Sequence, residues 1–148
     1  MNISIFGLGY VGCVGAACCA KLGHKVIGVD VNENKVRLMN EGKPTIIEEG
    51  IAESCKEAHD KGLMSATTVA AEAVAQTEVS FIVVGTPSSK EGHLNLNYIY
   101  TVAGRIGKAL KKKFAGENAP QNMHLIAIRS TVLPGTNQKV SEIIEQER

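Results

Sequence analysis

The chain has 148 residues, enough for one domain with a single core of ordinary size. Its 16 Lys and Arg balance 15 Asp and Glu, which argues against nucleic acid or a membrane surface as the partner. No apolar run approaches the roughly 20 residues that span a bilayer, and a core strand starting at once leaves no room for a signal peptide. The cytoplasm is therefore the expected compartment.

Ile3–Phe6 reads as a buried strand, and Gly7-Leu8-Gly9-Tyr10-Val11-Gly12 follows it directly. A G-x-G-x-x-G between a strand and an apolar helix, here Val11–Leu22, is the setting in which the motif means dinucleotide binding. Gly7 permits the tight turn, Gly9 lets the backbone approach a pyrophosphate, and Gly12 lets the helix pack closely. The helix N-terminus then offers free N–H groups and a partial positive charge to the phosphates.

Lys25–Asp30 is a second strand. Asp30 ends it about 20 residues beyond the glycines, where an acid binds the adenosine ribose hydroxyls and repels a 2′-phosphate, so NAD is favoured over NADP. Asn32–Asn40 is a helix capped by Asn32 and stopped by Gly42. A loop with Pro44 leads to a helix over Ile51–Lys61, a weak strand near Ala66–Thr68 and a small helix over Val69–Gln76.

Val79–Val84 is a strong buried strand. Val83-Val84-Gly85-Thr86-Pro87-Ser88 falls at its C-terminal end, beside the first strand where the strand order reverses and ligands bind. Thr86 is a candidate cofactor contact there. Asn97–Lys112 has helical spacing, and Lys111-Lys112-Lys113 reads as its solvated last turn. Leu125–Arg129 is a fifth strand, followed by Arg129-Ser130-Thr131-Val132-Leu133-Pro134-Gly135-Thr136 and a closing helix over Gly135–Gln146. Pro134 fits that helix's first turn. Ser130 and Thr131 either cap it or face the cleft; the sequence leaves both readings open.

Strands of near-continuous apolar character, separated by helices, predict an α/β fold with a doubly wound parallel sheet covered on both faces. Cys13, Cys18, Cys19 and Cys55 show neither C-x-x-C nor disulfide-style spacing. Cys55 and His59 stand at i and i+4, yet no oxyanion donor accompanies them, and a catalytic dyad is not expected. The four histidines (24, 59, 93 and 124) lack metal-ligand spacing, so no metal is predicted.

Gly7–Gly12, the strand ending in Asp30, Lys35, the Pro44-to-Ile51 loop, Gly85-Thr86-Pro87 and Ser130–Thr136 occur in one order. That ordered set resembles the N-terminal domain of the UDP-glucose/GDP-mannose 6-dehydrogenases over essentially the whole chain. Arg129–Thr136 and Gly92–Ile99 resemble the GDP-mannose branch more than the UDP-glucose branch. The resemblance implies a Rossmann fold over residues 1–148, with its last strand and the substrate domain lying outside the chain. It implies NAD as cofactor and a nucleotide-sugar substrate, whose C6 alcohol two NAD⁺ oxidise to a carboxylate through a cysteine thioester. A homodimer or larger assembly is implied for the whole enzyme.

Carried over by position, Tyr10 and Val11 supply the pyrophosphate turn with Gly7, Gly9 and Gly12. Asp30 and Lys35 hold the adenosine ribose, Thr86 contacts the cofactor towards the nicotinamide, and Thr131 is a possible auxiliary near the reacting carbon. Without the resemblance Lys35 reads as an exposed helix lysine. Two positions depart from the family: Glu49 replaces a proline, and Asn95 stands where an aspartate is common. The family's Gly-Gly-x-Cys-x-Pro-Lys-Asp segment has no counterpart, so no catalytic residue is expected in this chain and it is expected to be inactive alone. A non-catalytic nucleotide-sensing module is the competing expectation from another class.

Overall fold

In a computed structural model describing residues 1–148, apolar strands are separated by helices along the chain. They are β1 (Asn2–Phe6), α1 (Tyr10–Lys21), β2 (Lys25–Val29), α2 (Glu33–Asn40), α3 (Ile51–Asp60) and β3 (Met64–Thr67). The second half adds α4 (Ala70–Ala75), β4 (Val79–Ile82), α5 (Asn97–Lys113), β5 (Leu125–Ile128) and α6 (Thr136–Glu147). The predicted elements all form, with boundaries shifted by a residue or two.

The five strands pair in parallel in the order β3-β2-β1-β4-β5. The chain thus runs outward from β1 to β3, crosses back and continues from β4 to β5, so the reversal falls between β1 and β4. Alternation along each strand divides the core in two. Ile3, Ile5 and Val26 face one apolar cluster with Cys13, Ala16 and Ala17 of α1, Met39 of α2 and Cys55 of α3. Ile27, Val29 and Ile82 face the other, with Val74 of α4, Ile99 and Ile106 of α5, and Val140 of α6. Small residues on α1, Gly12 and Ala16 among them, bring that helix close to the sheet.

Three local readings need correction. Pro134 is not inside α6: Gly135 is the N-cap, with Pro134 in the turn before it. Ser130 caps nothing; its hydroxyl donates to Val84 O at 2.7 Å and tethers the ends of β4 and β5. Lys113 is not a solvated lysine like its neighbours Lys111 and Lys112. Its ammonium donates to Val74 O at 3.0 Å and to Thr77 O. The cation serves a helix C-terminus after all, but that of α4 rather than its own.

Lys113 also opens a polar chain through the second cluster. Its Nζ lies 3.2 Å from His124 Nδ1, and His124 Nε2 lies 2.8 Å from Ser80 Oγ. Ser80 Oγ is 2.7 Å from Ser4 Oγ, which donates to Val79 O at 3.2 Å. A lysine only donates, so Nδ1 accepts and Nε2–H donates to Ser80. Every hydroxyl then points one way along the chain, and His124 is held neutral. Burial first, and then the Lys113 charge, push His124 from its ordinary 6.5 down to about 4.

Candidate functional site

The strand-to-helix turn after β1 is shaped by two glycines that tolerate no side chain. Gly7 has φ +106°, and a Cβ there would lie 2.7 Å from Val83 O. A Cβ on Gly12 would lie 1.8 Å from the Gly7 carbonyl oxygen. Gly12 therefore seats the start of α1 on the turn itself, closer than on any sheet side chain. Gly9 is different, because a Cβ there meets nothing within 4 Å. Its missing side chain leaves open space beside the turn, room enough for a ligand backbone to approach closely.

The start of α1 carries no side-chain cap and no acid in its first turn. An apolar helix with uncapped N–H groups normally finds a partner for them, and an anion is the partner that such an end suits. Tyr10 and Val11, whose N–H groups stand at that end, are 56% and 47% exposed. The Tyr10 hydroxyl donates to Glu48 Oε2 at 3.2 Å, and the Glu48 carboxylate raises the phenol above its ordinary value.

Asp30 stands at the end of β2, as predicted, and its carboxylate is fixed twice. Oδ2 accepts from Leu8 N–H and Oδ1 from Asn32 N–H, both at 2.8 Å. A carboxylate has about four acceptor sites, so capacity remains on both oxygens for the vicinal hydroxyls of a ribose. Asp30 lines a cavity of about 260 Å³ with Phe6, Val29, Val31, Val84, Tyr98 and Arg105. The cavity lies between the ends of β1, β2 and β4 and one face of α5, and its apolar walls suit a purine. A larger hollow of about 720 Å³ beside α3 is lined by Glu49, Glu53, Glu57 and Asp60 with Lys21 and Lys56. No glycine-turn residue borders it, and its acids make it a poor seat for an anionic dinucleotide.

The residues present therefore fit a dinucleotide: open space at Gly9, free donors at α1, an anchored acid and an apolar slot share one edge of the sheet. Lys35 lies on the first turn of α2, its N–H bonded to the Asn32 cap at 3.3 Å. Its ammonium belongs to none of the ion pairs of the chain. Thr86 is half-buried just past β4, and Thr131 is exposed just past β5. The Ser130 tether keeps those two segments together, and Arg129 N–H donates to Ile82 O at 2.9 Å.

Sequence reasoning missed four contributors. Leu8 looks like a free position within the motif, yet it is fully buried. It sits over Gly28 of β2, where a Cβ would come within 2.7 Å of its Cδ2. Thr45 donates to Leu8 O at 2.7 Å and so ties the Pro44-to-Ile51 loop to the turn. Tyr98 and Arg105 sit on the cavity-facing side of α5, which the helical spacing alone assigned only to packing. Gly28 inside a strand was the available signal for a close approach. Cys55 and His59 do not pair: Cys55 is buried in the first apolar cluster, and His59 lies against Gly42 and Asp60.

The family model described as "UDP-glucose/GDP-mannose dehydrogenase family, NAD binding domain" matches residues 1–148. A GDP-mannose 6-dehydrogenase of Pseudomonas aeruginosa is 48% identical over 146 residues, covering 98% of this chain and 32% of that protein. The crystal structure of a ternary complex of GDP-mannose dehydrogenase from the same organism superposes with a TM-score of 0.91. It matches 99% of this chain and 32% of its own, at 48% identity. A UDP-glucose dehydrogenase from Pyrobaculum islandicum matches with a TM-score of 0.90 and 38% identity, over 99% of this chain and 32% of that one. The chain thus spans about a third of the length of these relatives.

Proposed function

The chain belongs to the UDP-glucose/GDP-mannose dehydrogenase family as its NAD-binding domain, and from that premise we propose that it is the cofactor half of a GDP-mannose 6-dehydrogenase. The observation that carries the sugar assignment is 48% identity to a GDP-mannose enzyme against 38% to a UDP-glucose enzyme of equally similar fold. UDP-glucose is the second reading, supported by the near-equal superposition of that relative. No counterpart of the family's cysteine segment stands in this chain, and in this reading the chain alone binds cofactor and does not turn over.

NAD, when bound, accepts the hydride from the sugar alcohol. This chain's residues bind and orient it. The N–H groups at Tyr10 and Val11, beside the open face of Gly9, hold the pyrophosphate. Asp30 takes the adenosine ribose hydroxyls, and Lys35 stands over the same ribose. The apolar cavity against α5 takes the adenine. Thr86 lies towards the nicotinamide, and Thr131 sits nearest the reacting carbon. The Asp30 charge excludes a 2′-phosphate by repulsion.

Titration calorimetry of NAD into the chain tests the cofactor site. Asp30→Ala is expected to weaken NAD at least tenfold, on the order of one charge-assisted hydrogen bond, and to narrow the preference over NADP. Unchanged affinity would remove Asp30 from the site. Following NADH formation by the full-length protein tests the sugar: turnover of UDP-glucose with GDP-mannose ignored would reverse the branch and leave the family intact. No helix of the chain is long and apolar enough to cross a membrane. Nothing in its near-balanced charge favours a nucleic acid; a cytoplasmic enzyme of two or more subunits fits the reading.

A further inference from the structure

The cavity of about 260 Å³ at the strand ends carries a charge on each of two walls. Asp30 lines it from the end of β2, and Arg105 lines it from α5. Tyr98, Thr101, Val102 and Arg105 recur at i, i+3, i+4 and i+7, so one stripe of α5 faces the cavity. Asp30 is held by two backbone N–H groups and does not pair with Arg105. The Arg105 guanidinium belongs to none of the ion pairs of the chain. Arg105 also lines an adjoining hollow of about 380 Å³ with Val31, Lys108 and Lys112. It is exposed, and it stands where the two spaces meet.

We propose that Arg105 contacts the purine base of the bound dinucleotide, and that it makes the site accept a 6-oxopurine at least as tightly as adenine. The inference deepens the cofactor reading and rests on Asp30 holding the adenosine ribose. A nucleoside is bipolar in the same sense as the cavity. Its ribose hydroxyls donate to a carboxylate, and the nitrogens of its base accept from a donor. With the ribose on Asp30, the base lies against the α5 wall.

The guanidinium decides which base suits that wall, because it offers five N–H donors and no acceptor. Adenine presents N7 beside an amino group, which is itself a donor and gives the guanidinium nothing. Hypoxanthine has O6 in place of the amino group, so O6 and N7 meet the fork together. Arginine reads guanine in nucleic acids by the same two atoms. The neutral groups of the wall select less. Thr101 spends its hydroxyl proton on Asn97 O at 2.9 Å and keeps only an uncharged acceptor. The Tyr98 hydroxyl gives or takes a hydrogen bond alike. A charged donor outweighs them, since charge-assisted hydrogen bonds are roughly twice as strong as neutral ones.

The test titrates NAD and nicotinamide hypoxanthine dinucleotide into the chain, Arg105→Met and Lys108→Ala, with heat as the readout. Methionine keeps an unbranched apolar stem and removes the donors, and an unchanged urea midpoint checks that the variant is folded. The parent is expected to bind the hypoxanthine dinucleotide as tightly as NAD, or up to about fivefold more tightly. Arg105→Met is expected to weaken the hypoxanthine dinucleotide about tenfold and NAD about threefold, shifting the preference towards adenine. Lys108→Ala removes a charge from the hollow but none from the cavity, and should leave both affinities unchanged. Hypoxanthine dinucleotide bound ten times more weakly than NAD by the parent would overturn the inference. Equal losses for the two bases in Arg105→Met, or a like loss in Lys108→Ala, would also overturn it, leaving only a general attraction for phosphate. NAD weakened by Asp30→Ala but untouched by Arg105→Met would keep the cofactor reading and remove the base contact. A parent chain that binds neither dinucleotide would remove both.

Discussion

Gly12→Ala is expected to abolish most of the stability of the domain, on the order of 4 kcal/mol or more, against a total of roughly 5–15 kcal/mol. The added Cβ would sit 1.8 Å from the Gly7 carbonyl oxygen and 2.8 Å from its carbon. Both are backbone atoms, and Gly7 is itself pinned by donating to Val29 O at 2.8 Å. No side chain can rotate away, so α1 must leave the sheet or the turn must break. Urea unfolding followed by circular dichroism reads the loss. Gly9→Ala is the matched control, with a midpoint expected within about 0.5 kcal/mol of the parent because its Cβ meets only open space. Its NAD affinity should nevertheless fall about tenfold, since the backbone can no longer approach the pyrophosphate. Equal stability losses at Gly9 and Gly12 would show that the three glycines do one job instead of separate ones.

The second large effect is expected from Lys113. Lys113→Met removes the donor to Val74 O, Thr77 O and His124 Nδ1 at once, and should destabilise by about 2 kcal/mol at neutral pH. Acid should probe the same network. The folded value of His124, about 4, lies below its ordinary 6.5. Between those values the unfolded chain takes up a proton that the folded chain refuses. Stability is therefore whole above pH 6.5 and is lost as pH falls towards 4, by about 1–2 kcal/mol once partial solvent screening is allowed for. His124→Gln should flatten that acid limb. An unaltered limb in the variant would assign the loss to other groups.

Much of this molecule is legible in the linear chain because its strands are short, apolar and separated by helices of clear period. The reversal between β1 and β4 follows from the strand pattern, and the glycine turn, in its strand-and-helix setting and with Asp30, marks the edge proposed for the cofactor. Contacts between segments distant in sequence are harder to read. Lys113 belongs to a basic run that looks solvated, and only the position of α4 beside α5 reveals its buried carbonyl partners. Cys13 and Cys55 have unremarkable spacing, and it takes the packing of α1 on α3 to bring them into one apolar cluster. Leu8 is silent in a motif that specifies only its glycines, although Gly28 is the hole it fills. Roles for Lys35, Thr86 and Thr131 come from family resemblance, because threonines and lysines near a cleft carry no periodic signal of their own.

The two apolar clusters share no residue. Whatever one layer of helices communicates to the other must cross five strands of four or five residues each. Two small half-cores on opposite faces of so thin a partition are expected to loosen to different extents, and their joint behaviour depends on what bridges them. A dinucleotide bound as proposed above, over the strand ends, would touch α1 from the first layer and α5 from the second. Its binding should act as a rivet: besides raising the unfolding midpoint, it should sharpen the transition by making two layers that can loosen separately come apart as one.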